Sequence, residues 1–181
     1  MKPGFILTLS NVTLGLTEEN SSGFKYIALK SNEQNPDELV QPKVKFTLGN
    51  KEMAEPYSIS AIFLMDTGMA NMTVQSPQTQ NVPRIPRGKD VVLAPSPEQW
   101  IAISAPQLHG VTLYKFKVIE VDLHEKHSEG TEDSPTWVVW NNYDVLFVNT
   151  GRYALTQFDY LFDSHGRRLG FRMPPTQSSG A

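Results

Sequence analysis

Short runs of apolar residues, several of them alternating with polar residues, recur along most of the chain. Lys43–Leu48 alternates polar and apolar side chains, which predicts a strand with one buried face. Ile62–Met65 is apolar throughout, which is typical of a strand buried on both faces. Many short runs at close spacing predict an all-β fold, either a sandwich or a barrel. The other predicted strands are Phe5–Leu9, Val12–Leu16, Phe24–Leu29, Val91–Leu93, Trp100–Ile103, Val111–Val121, Trp137–Trp140, Val145–Val148, Phe158–Phe162 and Arg168–Phe171.

Segments rich in proline, glycine or charge separate these runs. Gln75–Pro97 contains five prolines and is not expected to hold a regular strand ladder for long. His124–Pro135 is polar and charged, and we expect both segments to be surface loops. The only predicted helix is short, at Arg152–Thr156. Because we find no internal repeat and no domain boundary, we expect one domain over residues 1–173 and a flexible tail over residues 174–181.

Composition and charge exclude several classes of protein. The chain has 181 residues, a net charge of -3 and no lysine- or arginine-rich run, so it lacks the electrostatic pattern of a nucleic-acid-binding protein. No apolar stretch is long enough to span a membrane. The opening apolar run alternates with threonine and serine, which indicates a strand rather than a signal peptide. We therefore expect a soluble domain, and the compartment stays open.

Candidate metal ligands are few. The absence of cysteine excludes disulfides, thiolate catalysis and cysteine-based metal sites. His124 and His127 are three residues apart, but they lie in a polar segment without helical periodicity, which favours a solvated surface over a metal site. Asp163 follows a predicted strand and is interpreted as a turn residue. No metal and no other cofactor is expected.

One acidic residue raises a question about catalysis. In SAIFLMDTGMANMTV, which begins at Ser60, an apolar strand leads directly into Asp66, and Thr67 and Gly68 follow it. The simple interpretation is a turn in which the Asp66 carboxylate accepts hydrogen bonds from backbone N–H groups. The alternative is that Asp66 is one half of a catalytic pair of carboxylates.

Three stretches of the chain resemble pepsin-like aspartic proteases, in the order of that family's second lobe. The stretch GRYALTQFDYLFDSHGRRLGFR, from Gly151 to Arg172, resembles the C-terminal end of these enzymes. FLMDTGMANMT resembles their second catalytic strand and turn, and FILTLSNVTLG resembles the strand pair that opens the second lobe. The resemblance implies an acid-protease-like β-barrel or sandwich lobe with one short helix, closest to the C-terminal lobe of the pepsin-like enzymes and related to the retropepsin-like proteases.

The resemblance also implies a site. Asp66 would be the catalytic residue, Thr67 and Gly68 its supports, and Gly151 the glycine of a loop threaded behind the catalytic turn. In this chemistry two adjacent carboxylates share one proton, the ionised one activates a water and the protonated one polarises the peptide carbonyl. Here Asn149 and Thr150 precede Gly151 where two apolar residues are usual, and Met69 stands where a small residue is usual.

The chain carries a single Asp-Thr-Gly, so the second carboxylate must come from elsewhere. We expect an aspartic endopeptidase that acts on polypeptide substrates either as a homodimer or together with a partner lobe. The alternative is a non-catalytic module that uses the protease fold for binding or assembly.

Overall fold

The computed structural model describes residues 1–77, 82–94, 96, 98–118 and 133–174. The structure is 49% strand and 5% helix, so the predicted all-β class is confirmed. Residues 119–121 of one predicted strand, most of the charged segment His124–Pro135, and the tail beyond residue 174 lie outside the described residues. The described strands are β1 Lys2–Leu7, β2 Val12–Leu16, β3 Lys25–Ala28, β4 Lys30–Ser31, β5 Leu39–Val40, β6 Lys43–Gly49, β7 Tyr57–Leu64, β8 Met72–Gln75, β9 Arg84–Arg87, β10 Asp90–Leu93, β11 Trp100–Ala105, β12 Val111–Lys117, β13 Val138–Asn141, β14 Phe147–Asn149, β15 Asp159–Asp163 and β16 Arg168–Arg172.

The chain divides into two compact units, and the first comprises Met1–Val40 with Leu155–Ala181. Its main sheet is antiparallel, with the strand order β2-β1-β15-β16-β3, and β4 pairs with β5 in a small hairpin. Ile6, Leu16, Phe24 and Leu161 form a buried cluster in this unit. Phe158, Leu169 and Phe171 of the C-terminal match are also buried, whereas Phe162 is half-buried.

The second unit, Gln41–Ala154, is built on a nine-stranded sheet in the order β12-β11-β6-β7-β14-β8-β13-β10-β9. Most neighbours are antiparallel, but β14 runs parallel to β7, and β13 runs parallel to β8. The sheet is open in the part of the chain that the structure describes, so the barrel form of our expectation is not seen there. This division into two units does not test the prediction of a single lobe over residues 1–173, which stays a prediction.

Strand β7 lies in the interior of this sheet, between β6 and β14. Ile59, Ala61 and Phe63 are buried, whereas Ile62 and Leu64, which alternate with them, are only half-buried. The prediction that this strand is buried on both faces is therefore wrong for its second face. The strand nevertheless lies in the middle of the sheet and leads directly to Asp66.

The proline-rich segment is more regular than the sequence suggests. Arg84–Arg87 forms a strand that pairs antiparallel with Asp90–Leu93, so our expectation for this part of Gln75–Pro97 is wrong. Pro86 lies within β9, which is the last strand of the described sheet. A proline lacks an N–H group, and an edge strand tolerates that loss because one of its sides has no neighbour to bond.

Helical structure is limited to two short 3₁₀ segments in the described residues. Arg152–Thr156 coincides with the predicted helix, and Pro106–Leu108 was not predicted. Neither segment, nor any other helix in the described part, has the length and apolarity that crossing a membrane requires.

Candidate functional site

Asp66 stands two residues beyond the end of β7, in a tight turn. Its side chain is half-buried, and its Oδ1 atom accepts a hydrogen bond from the N–H of Gly68 at 2.9 Å. The N–H of Met69 donates to the backbone carbonyl of Asp66 at 3.2 Å. A Cβ atom at Gly68 would lie 3.2 Å from the same Oδ1 atom, so a side chain there would crowd the carboxylate. The turn therefore orients one oxygen of Asp66, and Thr67 and Gly68 remain exposed.

The segment around Gly151 approaches this turn through strand pairing. β14 lies between β7 and β8, and Asn149 is in register with Leu64 on one side and with Thr73 on the other. Immediately after β14, the N–H of Thr150 donates to the carbonyl of Leu64 at 3.0 Å. Residues from two segments far apart in sequence are thereby brought to the same end of the sheet.

Gly151 fits closely against the loop that follows Asp66. Its φ of +65° is in the left-handed region that favours glycine. A Cβ atom at this position would lie 2.6 Å from the carbonyl oxygen of Asn71 and 2.9 Å from that of Met69. The N–H of Arg152 also donates to the Met69 carbonyl, at 2.9 Å. The structure thus places Gly151 against the loop that follows the Asp66 turn, and its functional role stays a prediction.

A second turn of the same form lies beside the first, and our sequence reasoning missed it. The Oδ1 atom of Asn149 accepts the N–H of Gly151 at 3.0 Å, just as Asp66 accepts the N–H of Gly68. The signal was present, because Asn-Thr-Gly repeats the spacing of Asp-Thr-Gly and likewise follows an apolar strand. Unlike Thr67, Asn149 and Thr150 are buried.

The two turns also meet through side chains. The Nδ2 atom of Asn149 donates to the Sδ atom of Met69 at 3.1 Å. Asn149 and Met69 are two of the three positions at which the sequence departs from the protease pattern, and Thr150 is the third. The departures at Asn149 and Met69 are 80 residues apart in the sequence and in direct contact in the structure.

Asp66 is the carboxylate that the described residues place in these two turns. In the ranges that the structure describes, no three His, Asp or Glu side chains group as metal ligands, and Asp66 forms no ion pair. A single carboxylate can accept a proton or a hydrogen bond, but sharing one proton between two carboxylates needs a second acid beside it. The potential metal ligands His124 and His127 lie outside the described residues.

Asp163 is occupied by structural contacts. It is buried, and it accepts hydrogen bonds from the N–H of Gly166 at 2.7 Å and from Nε of Arg168 at 2.8 Å. Burial acts to raise the pKa of Asp163, but these two hydrogen bonds and the charge of Arg168 outweigh it and hold the pKa below its usual value. This arrangement agrees with its interpretation as a turn residue.

Comparison with known proteins supports the fold. No family model matches the chain, and none of the curated proteins matches it. The crystal structure of basic 7S globulin from soybean is similar, with a TM-score of 0.51 and 13% sequence identity over 98% of this chain. The match covers 52% of the globulin, so the chain spans about half the length of that protein. Identity this low shows the fold alone, and that fold is aspartic-protease-like.

Proposed function

We propose that this chain supplies one lobe of an aspartic endopeptidase, in which Asp66 pairs with an aspartate of a second lobe. The observation that carries the proposal is the supported turn at Asp66. Its Oδ1 atom is held by the N–H of Gly68 at the end of an interior strand, and the Gly151 segment packs behind it. Within an aspartic-protease-like fold, this is where a catalytic carboxylate is expected.

The proposed chemistry requires two carboxylates. The ionised carboxylate takes a proton from a water molecule that attacks the peptide carbonyl, and the protonated carboxylate donates a hydrogen bond to the carbonyl oxygen. In a homodimer each copy contributes Asp66 about a twofold axis, and with a partner lobe the second aspartate comes from that lobe. Thr67 is exposed beside Asp66, so its hydroxyl can reach a hydrogen-bond partner on the second lobe.

A second candidate is a non-catalytic module that uses the same fold for binding or assembly. Two observations favour it: Asp-Thr-Gly occurs once in the chain, and the neighbouring turn is built on the neutral Asn149 and so supplies no second acid. In this alternative the Asp66 turn has only a structural role.

Cleavage assays with an unfolded polypeptide separate the two candidates. The protein is incubated with it between about pH 3 and 7, where carboxylates titrate, and its mass in solution is measured by analytical ultracentrifugation. For the peptidase we expect an assembly of two lobes and cleavage that Asp66→Asn abolishes without loss of folding. Asp144→Asn changes an exposed aspartate elsewhere and serves as the matched control.

Mixing wild-type and Asp66→Asn chains tests whether the site is shared. In a homodimer with one shared site the mixed dimer is inactive, whereas independent sites would leave it half of the activity. Cleavage that persists in Asp66→Asn would refute the assignment of Asp66. A monomer that cleaves nothing at any of these pH values would support the non-catalytic module.

A further inference from the structure

The orientation of the Asn149 amide is fixed by its backbone partner. Only the oxygen of an amide can accept the N–H of Gly151, so Oδ1 must face Gly151 and Nδ2 must face Met69. Asn149 is 5% exposed, so water has little access to either end. The amide therefore relies on Gly151 and Met69 for its hydrogen bonds.

Met69 is in turn held at several points. Its sulfur accepts from Asn149, its carbonyl accepts from the N–H of Arg152, and its own N–H donates to the carbonyl of Asp66. Displacement of Met69 would thus move the residue that closes the Asp66 turn. One hydrogen bond thus connects Asn149 to the Met69 side chain, and another connects the Met69 backbone to Asp66.

We propose that Asn149 and Met69 are a coupled pair of positioning residues that holds the Asp66 turn against the Asn149-Thr150-Gly151 turn. Among the hydrogen bonds of the described residues, neither side chain bonds to the Asp66 carboxylate, so both act through the turn. The thioether is a weak acceptor, but it is the acceptor that the geometry gives to the buried Nδ2 group, and a buried donor without a partner is costly. The link to catalysis rests on the proposed function, whereas the coupling itself does not.

A double-mutant cycle tests the coupling. Met69→Leu keeps an apolar side chain of similar volume but removes the sulfur, so Nδ2 of Asn149 loses its acceptor. We expect this change to lower the folding equilibrium constant about tenfold or more, as is typical of one unsatisfied buried donor. In an Asn149→Leu background the same change should have almost no effect, because no amide remains there to be satisfied.

The matched control is Met53→Leu, which alters another half-buried methionine. Its effect should be the same in the wild-type and Asn149→Leu backgrounds. An equal effect of Met69→Leu in both backgrounds would overturn the proposal. If Asn149→Leu fails to fold, Met69→Leu in the wild-type background still decides, through the measurement described next.

The amide resonances of Gly68 and Gly151 report whether the pair positions Asp66. Both amide protons are hydrogen-bonded to side-chain oxygens, so loss of that geometry shifts their resonances towards the values of amides without a hydrogen bond. We expect Met69→Leu to shift the Gly151 resonance, which is remote in sequence from the substitution, and Met53→Leu to leave it in place. An unmoved Gly151 resonance would refute the positioning role.

Kinetics separate this proposal from the peptidase proposal. In an active enzyme, Met69→Leu should reduce kcat and leave KM nearly unchanged, because substrate contacts are retained while Asp66 is less well held. A wild-type protein without cleavage would refute the homodimeric peptidase and would leave the resonance test of the pair fully decisive.

Discussion

Replacing Gly151 with alanine is the sharpest test of how the candidate site is built. The φ of +65° at Gly151 costs an alanine about 1–2 kcal/mol, because its Cβ approaches the following carbonyl. The added Cβ would also lie 2.6 Å and 2.9 Å from two backbone carbonyl oxygens, which cannot swing aside as a side chain can. Such overpacking costs about 1–3 kcal/mol. We therefore expect Gly151→Ala to lower the free energy of unfolding by about 2–5 kcal/mol.

The chain offers a matched control for the cost of placing an alanine at a positive φ. Gly88 has a φ of +59°, and a Cβ atom built there meets nothing within 4 Å. Gly88→Ala should therefore cost only about 1–2 kcal/mol. The difference between the two variants isolates the contact of Gly151 with the loop that follows Asp66.

Urea unfolding followed by tryptophan fluorescence measures both losses. Trp100, Trp137 and Trp140 all lie in the unit that contains Gly151, so the signal reports on that unit. With a slope of about 2 kcal/mol per molar urea, the Gly151 variant should unfold at least about 1 M earlier than wild type. Equal midpoints for Gly151→Ala and Gly88→Ala would refute the close packing on which the site depends.

Three further predictions concern single side chains. Phe158→Ala should lower the free energy of unfolding by about 3–5 kcal/mol in urea melts, because the buried ring packs edge-on against Phe171 with centroids 5.3 Å apart. Phe162→Ala should lower it less, because Phe162 is only half-buried. The pKa of Asp163 is lowered in the folded state, so this carboxylate stabilises the fold above its unfolded pKa of about 4 and stops doing so as the pH falls through its folded pKa. In urea melts at acidic pH, the free energy of unfolding should therefore depend less on pH in Asp163→Asn than in wild type. Asp66→Asn should change the free energy of unfolding, measured in thermal melts, by less than about 0.5 kcal/mol, since an amide oxygen can still accept the N–H of Gly68.

Local patterns predicted much of the fold, and long-range pairing did not follow from them. Val12–Leu16 was predicted as the strand that the structure contains, and Lys43–Leu48 lies within β6, because alternation directly reflects one buried face. The strand at Arg84–Arg87 was missed because its proline argues against a strand unless the strand is known to lie at an edge. Edge position depends on the whole sheet, so no local window can supply it.

The same distinction holds at the candidate site. The Asp66–Gly68 turn is visible in three consecutive residues, and the structure contains it. The contact between Asn149 and Met69 joins positions 80 residues apart, and their residue types suggested only departures from a familiar pattern. Only the three-dimensional arrangement shows that these two departures belong together.

The position of β14 has a consequence for the order in which the chain folds. β7 and β8 are close in sequence, yet the strand that lies between them is made of residues 147–149. At a synthesis rate of about 5–20 residues per second, Leu64 and Thr73 are made several seconds before Asn149, the residue that pairs with both. Closing so long a loop before its contacts form also slows folding. We therefore expect the Asp66 turn of a nascent chain to lack the contacts of β14 and Gly151 until residue 152 has been made. A fragment that stops before Phe147 should contain Asp66 but not the packed turn around it.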